Sequence, residues 1–91
     1  MTAKKLTETK SIIDKDYRKI IDKLKEVRLQ KGWTQSEMAN KIGWKHGTKV
    51  NKIELYERRL DILEFLKMAS ALGKSPNYFF KDIKATTRLP L

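Results

Sequence analysis

The side chains that could carry chemistry in this sequence are cationic rather than nucleophilic. There is one histidine, His46, and no cysteine. Without thiols, disulfide frameworks, zinc fingers, iron–sulfur sites and thiol catalysis are excluded. His46 lacks acidic or sulfur neighbours at ligand spacing, so it makes a poor metal site, and no Ser/His/Asp set can be assembled around it. These residues lead us to expect neither an enzyme nor a cofactor. Positive charge is abundant: 21 Lys and Arg against 11 Asp and Glu give +10 at pH 7, with a pI near 10.0. A charge that large on so short a chain points to a polyanionic partner, nucleic acid first, with membrane headgroups or solubility alone as blander readings. Several of these cations gather in the middle of the chain, at Lys45, Lys49, Lys52, Arg58 and Arg59, with His46 among them.

The elements that must position these side chains are helices. Ninety-one residues and 10.7 kDa suffice for one small domain, and 40% hydrophobic residues give it a modest core. No apolar stretch approaches the roughly 20 residues that span a bilayer, and no secretory leader is evident. Nor is there an alternating β-branched run between hairpin turns. In the first helix Ile13, Tyr17, Ile20, Ile21, Leu24, Val27 and Arg28 recur at spacings of three and four, after a cap signal at Ser11 with Asp14 three later. Gly32 ends it. Thr34-Gln35-Ser36-Glu37 is a capping box that opens a second, short helix carrying Met38, Ala39 and Ile42 and stopping at Gly43. After the polar turn Trp44-Lys45-His46-Gly47, a third helix places Val50, Ile53, Glu54 and Glu57 at helical spacing. Asp61-Ile62-Leu63-Glu64 is another capping box, opening a fourth helix with Phe65, Leu66, Ala69 and Leu72 that Gly73 closes. Ser75 and Pro76 begin a fifth through Phe80. The expected architecture is all-α: a compact five-helix domain over residues 11–82, a flexible N-terminal arm over 1–10 and a flexible tail over 83–91.

Two short helices about a tight glycine-containing turn make a helix-turn-helix, which presents its second helix to the major groove of DNA. In order, the chain carries Leu24, Val27 and Arg28; Gly32-Trp33-Thr34-Gln35; Met38-Ala39; and Ile42-Gly43. It continues with Val50, Ile53 and Glu54; Glu57-Arg58-Arg59-Leu60-Asp61; and Leu66, Ala69, Leu72 and Gly73. With these residues at these spacings, the chain resembles the lambda-Cro/C1 repressor-type helix-turn-helix family, the XRE family, over about residues 18–82. Two departures stand out. The turn before the third helix is one residue longer than usual, and Tyr56 stands where the family usually has a glycine that ends the third helix. Tyr56 must either bear a left-handed conformation or let that helix run on.

The resemblance and the residues together define an expected surface. Val50 and Ile53 must face the core, which turns Gly47, Thr48, Asn51 and Lys52 outward. Thr48 and Lys52 match positions at which the family reads base edges. Lysine donates to guanine O6 and N7, and threonine suits several bases or the thymine methyl. Asn51 has the groups to read adenine or can face solvent. Gly47 has nothing to read with except close backbone approach. Lys45, His46 and Lys49 flank the helix and are expected on phosphates. Family likeness suggests that Gln35 and nearby backbone N–H groups meet a phosphate. Arg58 and Arg59 are expected on the DNA backbone or minor groove, or serve solubility alone. Arg28 and Glu54 fall on core-facing positions, and the resemblance implies that they pair structurally. Trp33 and Trp44 are expected to pack in the core or turn. The resemblance implies a bacterial or phage DNA-binding transcriptional regulator, usually a repressor, acting in the cytoplasm on the nucleoid as a homodimer. The dimer surface is expected around Phe80, Ile83, Leu89 and Leu91. Alternatives are an antitoxin that also binds a toxin protein and a non-specific basic nucleic-acid-binding protein.

Overall fold

The computed structural model describes residues 14–83. The expected arm over 1–10, the cap signal at Ser11 and the tail residues Leu89 and Leu91 lie outside the described residues. All regular elements among those described are helical.

Helix α1 runs Lys15–Gln30, and its N-cap is Asp14, whose Oδ1 accepts the Tyr17 N–H at 2.8 Å. The acidic residue read as the far partner of a cap at Ser11 is thus itself the cap, with extended backbone. Helix α2, Gln35–Lys41, opens on the expected capping box: Glu37 N–H donates to Thr34 Oγ1 at 3.0 Å and Thr34 N–H to Glu37 Oε1 at 2.7 Å. Helix α3 is Thr48–Glu54 and helix α4 Ile62–Ala71, the latter opened by the Asp61/Glu64 box. The fifth element, Pro76–Phe80, is a 3₁₀ helix of 5 residues, where sequence reading expects an α-helix. It is a single short turn, and Ser75 sits at the cap position without a side-chain hydrogen bond.

Each α-helix is too short or too polar to be stable alone, so burial of one stripe holds it. Ile21, Leu24 and Val27 of α1, Met38 and Ala39 of α2, Val50 and Ile53 of α3, and Phe65, Met68 and Ala69 of α4 meet Leu72 and Phe79 in one core. Phe65 joins the 3₁₀ turn to it, edge-on to Phe79 at 5.7 Å between ring centroids and stacked on Phe80 at 5.4 Å. Trp33 and Trp44 pack against its rim, as expected. Ile83 and Phe80, assigned from sequence to a dimer surface, face this core instead: Ile83 is 8% exposed and Phe80 packs against the cluster.

Tyr56 resolves the question its position raises. Helix α3 stops at Glu54, and Tyr56 takes φ 64°, the left-handed cap. Its N–H reaches Ile53 O at 2.9 Å and the Glu57 N–H reaches Lys52 O at 2.9 Å, which together form a Schellman ending. An L-residue other than glycine there costs about 1–2 kcal/mol. Tyrosine offsets the cost through its side chain: the hydroxyl donates to Asp22 of α1, and the Arg18 guanidinium lies 4.2 Å from the ring centroid. The hydrogen bond to Asp22 holds the Tyr56 phenol above its ordinary pKa. The exit of α3 is thereby pinned to α1.

Candidate nucleic-acid interface

Helices α2 and α3 are packed together, and the contact closes at Gly47. A Cβ there would lie 2.8 Å from Ser36 N and 3.0 Å from Gln35 C, closer than a side chain tolerates. Gly47 is half-buried at the N-cap of α3, facing the first turn of α2 rather than outward as its spacing suggested. Its φ of −79° is ordinary, so the requirement for glycine is steric and not conformational. This close approach seats α3 with Val50 and Ile53 buried, each 2% exposed, and turns Thr48, Lys49, Asn51 and Lys52 to solvent. Lys45 and His46, in the turn before it, are exposed too. The Lys49 ammonium lies 5.0 Å from the Trp44 ring, beside the turn.

Beneath this face sits the ion pair. Arg28 Nε donates to Glu54 Oε2 at 2.8 Å and Nη2 to Glu54 Oε1 at 3.0 Å, while Nη1 donates to the Trp33 carbonyl at 2.6 Å. The two side chains are 7% and 8% exposed. A guanidinium buried to this extent is tolerable only with such a set of acceptors. Gln35 joins them, its amide nitrogen donating to Glu54 Oε1 at 2.9 Å and to Asn51 Oδ1 at 3.3 Å. Both amide hydrogens of Gln35 are thus directed into the protein, which leaves the side chain no donor for the phosphate contact expected of it.

A helix-turn-helix family model matches residues 24–79. The chain belongs to the Cro/C1-type helix-turn-helix family, and it is a DNA-binding transcription regulator. Among solved structures it is similar to a tyrosine-to-phenylalanine mutant of the restriction-modification controller protein C.Esp1396I. That likeness has a TM-score of 0.69 and 28% identity, and covers 87% of this chain and 100% of the other. A tyrosine-to-alanine mutant of the same controller matches with a TM-score of 0.68 at 28% identity, covering 85% and 100%. A search of curated proteins found no match.

In this regulator the two arginines after α3 have different surroundings. Arg58 forks onto Glu64, Nη1 to Oε1 at 3.1 Å and Nη2 to Oε2 at 3.0 Å. The hydrogen bond to Arg58 holds the Glu64 carboxyl below its ordinary pKa, and the same bond raises that of Arg58. Arg58 is thereby held on Glu64 at the exit from α3, with its side chain 32% exposed. Arg59 remains exposed, its guanidinium 5.9 Å from the Tyr17 ring. Glu64 was legible only as half of a capping box; its second task depends on how the chain turns between α3 and α4. Among the described residues no group of three or more His, Cys, Asp or Glu is placed to hold a metal, and no helix is long and apolar enough to cross a membrane.

Proposed function

We propose that the protein reads specific duplex DNA sequences by placing α3 in the major groove, and that it represses transcription by occupying its site. The observation that carries this reading is the exposed row Thr48, Asn51 and Lys52, held on a short helix whose opposite face is locked into the core. Lys52 suits guanine O6 and N7, and Thr48 suits a thymine methyl or a hydroxyl contact. Lys45 and His46 precede the row in sequence and Lys49 lies between its members, and these three and Arg59 supply phosphate contacts that give affinity without sequence information. Such a protein acts in the cytoplasm, on the nucleoid. The likeness to restriction-modification controller proteins supports control of a restriction-modification gene set as the first context to test.

One helix of this kind touches few base pairs, so a two-fold dimer on a near-palindromic site supplies the needed specificity. The surface we assign to the dimer is the start of α4, where Ile62, Leu63 and Leu66 are 77%, 58% and 43% exposed. Two-fold pairing of two copies of α4 would bury these three side chains in one self-complementary contact. Selection of bound sites from random duplex DNA tests the reading: enrichment of a near-palindrome supports it, and recovery of unenriched DNA overturns it.

A further inference from the structure

The hydrogen bonds that run from the core to the outer face of α3 have a fixed polarity. Arginine can only donate, and an ionised carboxylate can only accept. Arg28 donates twice to Glu54, and Glu54 Oε1 faces the Gln35 amide at 2.9 Å. The group of Gln35 at that distance must be its NH₂, because the reverse orientation would set an amide oxygen against a carboxylate oxygen. The second hydrogen of this NH₂ points to Asn51, 3.3 Å away, so Asn51 must turn its oxygen inward. That leaves the Asn51 NH₂ on the solvent side of α3, in the same row as Thr48 and Lys52, and no hydrogen bond among the described residues takes it up. The buried ion pair thus determines, two hydrogen bonds away, which end of an exposed amide is presented.

An asparagine that reads adenine needs both ends: its oxygen accepts from N6 while its nitrogen donates to N7. With the oxygen turned to Gln35, that two-point contact is broken and only donors remain. Guanine offers N7 and O6, two adjacent acceptors and no donor, on the same edge. We propose that Asn51 reads guanine and discriminates against adenine, and that Gln35 is the positioning residue that sets this choice. The inference rests on α3 lying in the major groove, as argued above.

Selection from random duplex DNA, run in parallel with wild type, Asn51→Ala, Gln35→Met and Lys52→Ala, tests it. The position whose preference Asn51→Ala abolishes should be guanine in the wild-type site, favoured over adenine by about tenfold, the size of one good base-edge contact. Replacing that guanine by 7-deazaguanine should weaken wild type and leave Asn51→Ala unaffected. Gln35→Met frees the Asn51 amide to turn, so the same position should come to accept adenine while the Lys52-dependent position keeps its preference. A merely structural loss would weaken all positions alike. Adenine at the Asn51-dependent position, or no Asn51-dependent position beside a clear Lys52-dependent one, overturns the assignment of Asn51 and leaves the groove reading standing. An unchanged guanine preference in Gln35→Met overturns the positioning role. The wild-type and deazaguanine arms decide the guanine assignment even if Gln35→Met fails to fold. No sequence preference in any protein overturns the groove reading itself, and this inference with it.

Discussion

Replacing Glu54 by alanine removes both acceptors that Arg28 uses at 2.8 and 3.0 Å and leaves the guanidinium, 7% exposed, with only the Trp33 carbonyl. Hydrogen bonds to charged groups contribute about 1.5–3 kcal/mol each, and breaking one side of a buried pair costs about 3–5 kcal/mol because a charge is left stranded. Gln35 loses an acceptor in the same step. A domain of this size has about 5–15 kcal/mol in all, so Glu54→Ala should lower the thermal midpoint by about 15 °C or more and move the urea midpoint down by several molar. The double replacement Arg28→Met with Glu54→Leu puts apolar groups of similar size in the same space and should cost much less than either single change. Thermal and urea denaturation followed by circular dichroism read both numbers. A Glu54→Ala loss below about 1 kcal/mol, the range of an exposed pair, would refute the reasoning that buries this pair beneath the exposed face of α3.

Gly47→Ala drives a Cβ to within 2.8 Å of the Ser36 backbone nitrogen and should cost about 1–3 kcal/mol in denaturation, with DNA affinity falling as α3 is displaced; an unchanged midpoint would contradict the packing. Because Arg58 lowers the folded-state pKa of Glu64, the pair's contribution is full above the ordinary carboxyl value of 4.5 and fades as pH falls through the lowered one. Glu64→Gln should therefore flatten the acid limb of the stability curve, and a limb of unchanged steepness would count against the pair. Ile62→Glu at the exposed start of α4 should shift a sedimenting dimer to monomer with helix content intact; unchanged sedimentation would move the interface elsewhere.

Much of this was legible in the sequence because short-range signals and tertiary demands agree. The boxes at Thr34/Glu37 and Asp61/Glu64 mark helix starts by local hydrogen bonding alone, and the structure opens α2 and α4 there. The three-and-four spacing of Ile21, Leu24, Val27 and Arg28 gives the buried stripe of α1, and the family resemblance supplied the Arg28–Glu54 pairing. What escaped depends on contacts between elements. Gly47 has an unremarkable φ, so only the proximity of α2 reveals why it has no side chain. Arg58 and Glu64 stand on opposite sides of a turn, where no periodicity relates them. Gln35 resembled a surface residue of a capping box because its partners, Glu54 and Asn51, lie on another helix. Phe80 lacked a visible core role because the 3₁₀ turn stacks it on Phe65, and Ile83, just after that turn, is buried by the fold rather than marked by any periodicity.

The central claim, that α3 reads bases while its flanks hold phosphates, is tested most directly by profiling Lys52→Ala and Lys45→Ala against a library of singly substituted sites at several salt concentrations. Lys52 is exposed between core-facing Val50 and Ile53, and Lys45 stands in the turn before the helix. Lys52→Ala should cost about 1–3 kcal/mol on the preferred site and relax the preference at one base pair of each half-site. Lys45→Ala should weaken all sequences alike and reduce the slope of log affinity against log salt by about one. If Lys52→Ala leaves the sequence preference untouched while Lys45→Ala alters it, the roles are reversed and α3 is not the reading helix.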